Sequence, residues 1–165
     1  MTSTRRLAKA RFTGVTWFVV LALTVTPFGP PLAAVTERIV TNRHTGLAMD
    51  GYDPVAYFTD SHARIGRPEF EYRFKGVIWR FSNAGNRVAF AQNAETYIPQ
   101  YGGYDPVGIA RGVAVAGNPT LWLLANDRLY LFYSPDALDS FKADAIKAIA
   151  AAEAKWPQVL QGIVP

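Results

Sequence analysis

The sequence predicts an α+β domain in which two antiparallel β-hairpins pack with a short central helix and a long C-terminal helix. Three observations predict it. Phe70, Tyr72 and Phe74 alternate with Glu71 and Arg73, and Val77, Trp79 and Phe81 alternate with Ile78 and Arg80 across Lys75-Gly76. Period two with aromatics on one face marks a half-buried hairpin. Thr120–Ala125 and Leu129–Tyr133 form a second strand pair around Asn126-Asp127. Ser134-Pro135-Asp136 then supplies a cap, a proline at the first helical position and an acid in the first turn.

The first 34 residues have a different composition. Met1–Arg11 is basic, Phe12–Val25 is apolar, and Pro27, Gly29, Pro30 and Pro31 break the run before the small residues of Leu32-Ala33-Ala34. That order is the order of a secretory signal. The unbroken run falls short of the roughly 20 apolar residues of a bilayer span. Residues 1–34 are therefore expected to be a cleaved signal peptide, with an uncleaved inner-membrane anchor as the alternative. Residues 35–165 are expected to be a single exported domain, periplasmic or secreted. Arg5-Arg6 hints at a twin-arginine signal, but Leu7-Ala8-Lys9 is a poor apolar follow-up, so the ordinary secretory route fits better.

Charge gives no case for a nucleic-acid partner. The chain carries 17 Lys+Arg and 13 Asp+Glu. Arg5, Arg6, Lys9 and Arg11 belong to the leader, which has no acid, so basic and acidic residues balance in the rest. A membrane partner is expected only through an uncleaved leader. The chain has no cysteine. Disulfides, covalent c-type haem, thiolate-held iron–sulfur clusters and zinc, blue copper and a cysteine nucleophile are excluded.

Along the rest of the chain, Val35–Arg43 reads as an extended arm and Asp50-Gly51 as a turn. Val55–Phe58 reads as a short strand or one helical turn, and Thr59–Pro68 as a loop. Asn83 caps a helix whose Ala84, Val88 and Ala91 share a face, taken as the inner one. Gly108–Gly112 suggests a brief helical turn. Ala137, Leu138, Phe141, Ala145, Ala148, Ile149, Ala152 and Trp156 trace one face of the last helix, which Pro157 is expected to stop after about six turns.

GYDPVAYF at Gly51–Phe58, KGVIWRFSNAGNRVAF at Lys75–Phe90 and YIPQYGGY at Tyr97–Tyr104 resemble the YHS-domain family, in particular its small exported bacterial members. DRLYLFYS at Asp127–Ser134 and the helix ending Lys155-Trp156-Pro157 resemble the C-terminal part of those proteins, so the likeness spans most of Gly46–Leu160. The resemblance implies a small binding module, often described as metal-binding, with no assigned activity in exported members. Relatives usually read Tyr-Gly-Gly-Tyr-Cys-Ala, whereas Asp105-Pro106 follows Tyr104 here. A histidine is frequent in the first hairpin strand of relatives, where this chain carries Tyr72. Sulfur or imidazole ligands at those positions would be lost.

The pentapeptide GYDPV occurs twice, at Gly51–Val55 and Gly103–Val107. The repeat is too short to indicate duplication, and the sequence diverges at once, AYF against GIA. Asp53 and Asp105 could converge on a divalent cation, with His44 as a third ligand, or each could hold a turn before its proline. The turn reading is preferred. His44 and His62 lie in polar segments without metal-ligand spacing. Tyr52, Asp53, Tyr101, Tyr104 and Asp105 are the candidate ligand-binding residues, with the cleft expected beside Gly102-Gly103. A glycine-rich phosphate loop and a G-x-S-x-G elbow are both missing. The expected function is therefore non-enzymatic binding of a metal ion or small ligand in the cell envelope. A small enzyme with an Asp/Tyr acid–base site and an envelope protein–protein interaction domain are the alternatives.

Overall fold

The computed structural model describes residues 38–163, which belong to one compact unit, Ala33–Pro165. The expected signal peptide lies outside the described residues. The fold is α+β, with two separate antiparallel hairpins, as the sequence predicts. In order, α1 is Ala56–Thr59, β1 Arg67–Phe74, β2 Val77–Phe81, α2 Ala84–Gln92, α3 Ala94–Tyr97, α4 Pro106–Ala110, β3 Asn118–Ala125, β4 Arg128–Phe132, α5 Pro135–Ala143 and α6 Ala145–Ile163. Among the described residues no helix is long and apolar enough to cross a membrane.

The same unit is built twice, a duplication that the five-residue GYDPV repeat is too short to indicate by itself. Each copy opens on three left-handed residues, Met49-Asp50-Gly51 and Tyr101-Gly102-Gly103. The aspartate N–H of each GYDPV then donates across the following loop, Asp53 to the Arg64 carbonyl and Asp105 to the Val115 carbonyl, both at 2.8 Å. A glycine enters each hairpin, Gly66 and Gly117, because a Cβ there would strike the facing strand at Arg80 and Leu131 respectively. Both hairpins have an eight-residue and a five-residue strand, with a register shift near the start of the first. Both turns, Lys75-Gly76 and Asn126-Asp127, have positive φ at each residue, the twist that suits a two-residue hairpin. Asn83 and Ser134 then cap nine-residue helices by accepting from Asn86 N–H and Ala137 N–H.

The repetition extends to the core. In the first copy the Phe90 ring on α2 sits 5.1 Å from both Trp79 and Phe81. In the second, Phe141 on α5 sits 5.1 Å from both Tyr130 and Phe132. Leu129 and Leu131, alternating with Tyr130 and Phe132, face the other way and join the core of the first copy. The second hairpin is thus the shared layer of the molecule. The Tyr57 hydroxyl ties the copies together, donating to the Pro119 carbonyl at 2.8 Å while its ring packs edge-on against Trp122.

Two helix readings are corrected. Ala84, Val88 and Ala91 face solvent, and α2 docks instead through Phe90, supported by half-buried Asn86 and Ala89. Burying one phenylalanine removes more apolar surface from water than burying the small Ala–Val–Ala stripe, so Phe90 sets the helix rotation. The predicted single last helix is two. Asp144 leaves helical geometry (φ −156, ψ 79), ends α5, and caps α6 by accepting from Lys147 N–H at 3.0 Å. Pro157 does not stop α6, which runs to Ile163. Proline removes one donor and crowds the preceding turn, and here the packing of Ala152, Trp156 and Val159 against Ile109 and its neighbours holds the helix across it.

Candidate functional site

Asp53 is fully buried and its carboxylate accepts four hydrogen bonds. Oδ1 accepts from Val55 N–H at 2.9 Å, closing the turn before α1. Oδ2 accepts from Ser82 N–H at 2.8 Å, Ser82 Oγ at 2.7 Å and Asn86 Nδ2 at 2.7 Å. It therefore clamps the first GYDPV to the start of α2, where the helix N-terminus favours a negative charge. Asp105 occupies the equivalent place. Its Oδ1 accepts from Val107 N–H at 2.9 Å and caps α4, and its Oδ2 accepts from Tyr133 N–H at 3.4 Å. The turn role preferred from the sequence describes both aspartates.

The structure does not bring Asp53, Asp105 and His44 together as one group that could hold a metal ion. Both candidate carboxylates hold backbone or side-chain donors from different elements, and His44 stands exposed in a loop turn fixed by Asn42. Among the described residues no group of three or more His, Asp or Glu is placed to hold a metal. Tyr52 bridges to Ile65 and Tyr104 to Ala116, the same contact in each copy. The Tyr104 ring also packs near Trp156.

Tyr101 is the candidate residue that lines a sizeable cleft. The cleft has a volume of about 800 Å³. Its apolar wall is Ile98, Pro99, Tyr101, Trp156 and Leu160, with the Tyr101 and Trp156 rings edge-to-face at 5.5 Å. Among the described residues, Arg38, Lys75 and Arg128 line it against one acid, Glu95. Glu95 organises two of them: Lys75 Nζ pairs with its carboxylate at 2.8 Å, and Arg128 Nη1 donates to its carbonyl at 3.5 Å. Gly102 also lines it. Val40 N–H donates to its carbonyl at 2.8 Å, and any Cβ there would collide with the Arg38 carbonyl. Tyr52, Asp53, Tyr104 and Asp105 do not line this cleft. The sequence reading missed Arg38, Lys75, Glu95, Arg128 and Leu160 as site residues, and read Trp156 as core. One signal was available: Lys75 and Arg128 both sit at hairpin tips, where a basic side chain is not needed for the turn.

Burial raises three phenols above the ordinary tyrosine value of 10.0. For Tyr57 the negative charges of Tyr52 and Asp53 add to it, for Tyr101 those of Tyr130 and Glu153, and for Tyr130 that of Glu153, opposed by Arg128. These phenols stay protonated and are poor proton acceptors at neutral pH. They also set an alkaline limit. Below pH 10 both folded and unfolded phenols are protonated and the stability is intact. Above it the unfolded chain ionises first, so stability falls as pH climbs toward the raised native values. Tyrosinate absorbance should therefore show Tyr57, Tyr101 and Tyr130 ionising only as the circular dichroism of the fold is lost. Ionisation of all 8 tyrosines near pH 10 in folded protein would contradict their burial.

Comparison of the chain with protein-family models, with curated proteins and with solved structures found no match.

Proposed function

We propose that the chain is an exported, YHS-like binding protein of the cell envelope, without catalytic chemistry. In this reading it holds a small organic anion with an apolar body. The observation that carries the proposal is the cleft at Tyr101 and Trp156. One wall is aromatic and aliphatic, and among the described residues the lining carries three cations against one carboxylate. An apolar wall with a few placed polar groups is the usual composition of a small-molecule site, and an excess of positive charge at the mouth favours an anionic head. Neither buried carboxylate reaches this cleft, so it offers no Asp/Tyr acid–base pair there.

Naphthalene-2-sulfonate serves as the probe. It should bind the leaderless protein, perturb tryptophan emission through Trp156, and bind more weakly as salt is raised, because exposed charges are screened. Lys75→Glu combined with Arg128→Glu should weaken it at least tenfold, and 2-naphthol, of similar body without the sulfonate, should bind less well. Equal affinity in the charge-reversed protein, or no binding, would reject the cleft as an anion site.

A further inference from the structure

The internal duplication provides its own control, because one copy shows what the other lacks. In the first copy the Asp53 Oδ2 meets a backbone N–H, a hydroxyl and a side-chain amide within 2.7–2.8 Å. The residues in the same places of the second copy are Tyr133 for Ser82 and Ala137 for Asn86. The backbone donor is kept, at a longer 3.4 Å, and the hydroxyl and amide are gone. Asp105 is nevertheless only 4% exposed. In place of the missing groups lies a cavity of about 360 Å³, lined by Asp105, Arg111, Tyr133, Ser134, Asp136 and Ala137 among others. A buried carboxylate therefore faces open space with acceptor capacity left over, where its counterpart is saturated.

We infer that this cavity is a second binding site, separate from the cleft, and that it takes the ammonium group of a small primary amine. A primary ammonium brings three N–H donors on one small head and so replaces both donors that the second copy has lost. Its charge also suits the site, where among the described lining residues Asp105 and Asp136 outnumber Arg111. The N-termini of α4 and α5 both lie here and each already has its cap, Asp105 and Ser134. The ligand's partner is therefore the spare face of the carboxylate, not a helix end.

The test uses ethylammonium chloride, with tetramethylammonium chloride as the control of equal charge that has no N–H to donate. Ethylammonium should raise the thermal midpoint of the leaderless protein in a saturable way and shift the amide resonances of Tyr133 and Val107. Tetramethylammonium should do neither. Ala137→Asn restores the amide of the first copy from within the chain. It should raise the midpoint without added amine and weaken the ethylammonium response at least tenfold. Tyr133→Ser restores the hydroxyl at an exposed position, where a fold defect is not expected, and should weaken the response in the same direction. Equal responses to both salts, no response at all, as expected of a cavity holding only water, or an undiminished response in Tyr133→Ser would overturn the assignment.

Discussion

Trp79→Ala is expected to cost about 3–5 kcal/mol of folding stability. Trp79 has no exposed surface. Its ring lies 5.1 Å from Phe90, and its Nε1–H donates to the Phe74 carbonyl at 3.2 Å, bracing the strand that precedes the hairpin turn. Truncation removes the largest side chain of the first core and leaves a cavity between hairpin and helix that Phe90 cannot fill, because Phe81 and Tyr97 hold it on other sides. Equilibrium urea unfolding should show the midpoint falling with the slope unchanged. A loss below about 1 kcal/mol, the size of an ordinary surface change, would mean that Trp79 does not fill the core.

Where side-chain alternation or turn chemistry acts locally, the sequence was readable. Both hairpins, the Asn83 and Ser134 caps and the inward face of the last helices follow from spacing alone. The duplication was not readable, because each copy meets one physical requirement with different residues. Met49 and Asp50 take the left-handed backbone that Tyr101 and Gly102 take in the second copy, and Asn93 breaks a helix where Asp144 does. Aromatic size is kept at Trp79 and Tyr130 while identity is not. The cleft escaped for another reason. It joins the tips of two hairpins, α3 and α6, residues far apart in the chain that only the packed fold brings together. Asp53 could be read as a turn residue, but its bonds to Ser82 and Asn86 depend on where α2 docks, and that was misjudged with the helix face.

Asp53→Asn is expected to cost about 3–5 kcal/mol, the range for breaking a buried charged network by removing one partner. The change is nearly isosteric, so the effect is one of hydrogen bonding. Every neighbour of the carboxylate is a donor: Val55 N–H on Oδ1, and Ser82 N–H, Ser82 Oγ and Asn86 Nδ2 on Oδ2. Whichever end the new NH₂ takes, it faces at least one donor, at a side chain with no solvent exposure. The first GYDPV would then lose its hold on α2, and amide exchange should quicken at Val55 and Ser82 before the rest of the fold opens. Asp105→Asn is the matched comparison. That side chain has two donors, one of them at 3.4 Å, and open space beside it into which an amide can turn. Its loss should be about 1–2 kcal/mol. Unfolding both variants under one set of conditions separates the two outcomes. Equal losses would mean that the extra donors on Asp53 add nothing, and that the two aspartates are the same turn residue used twice.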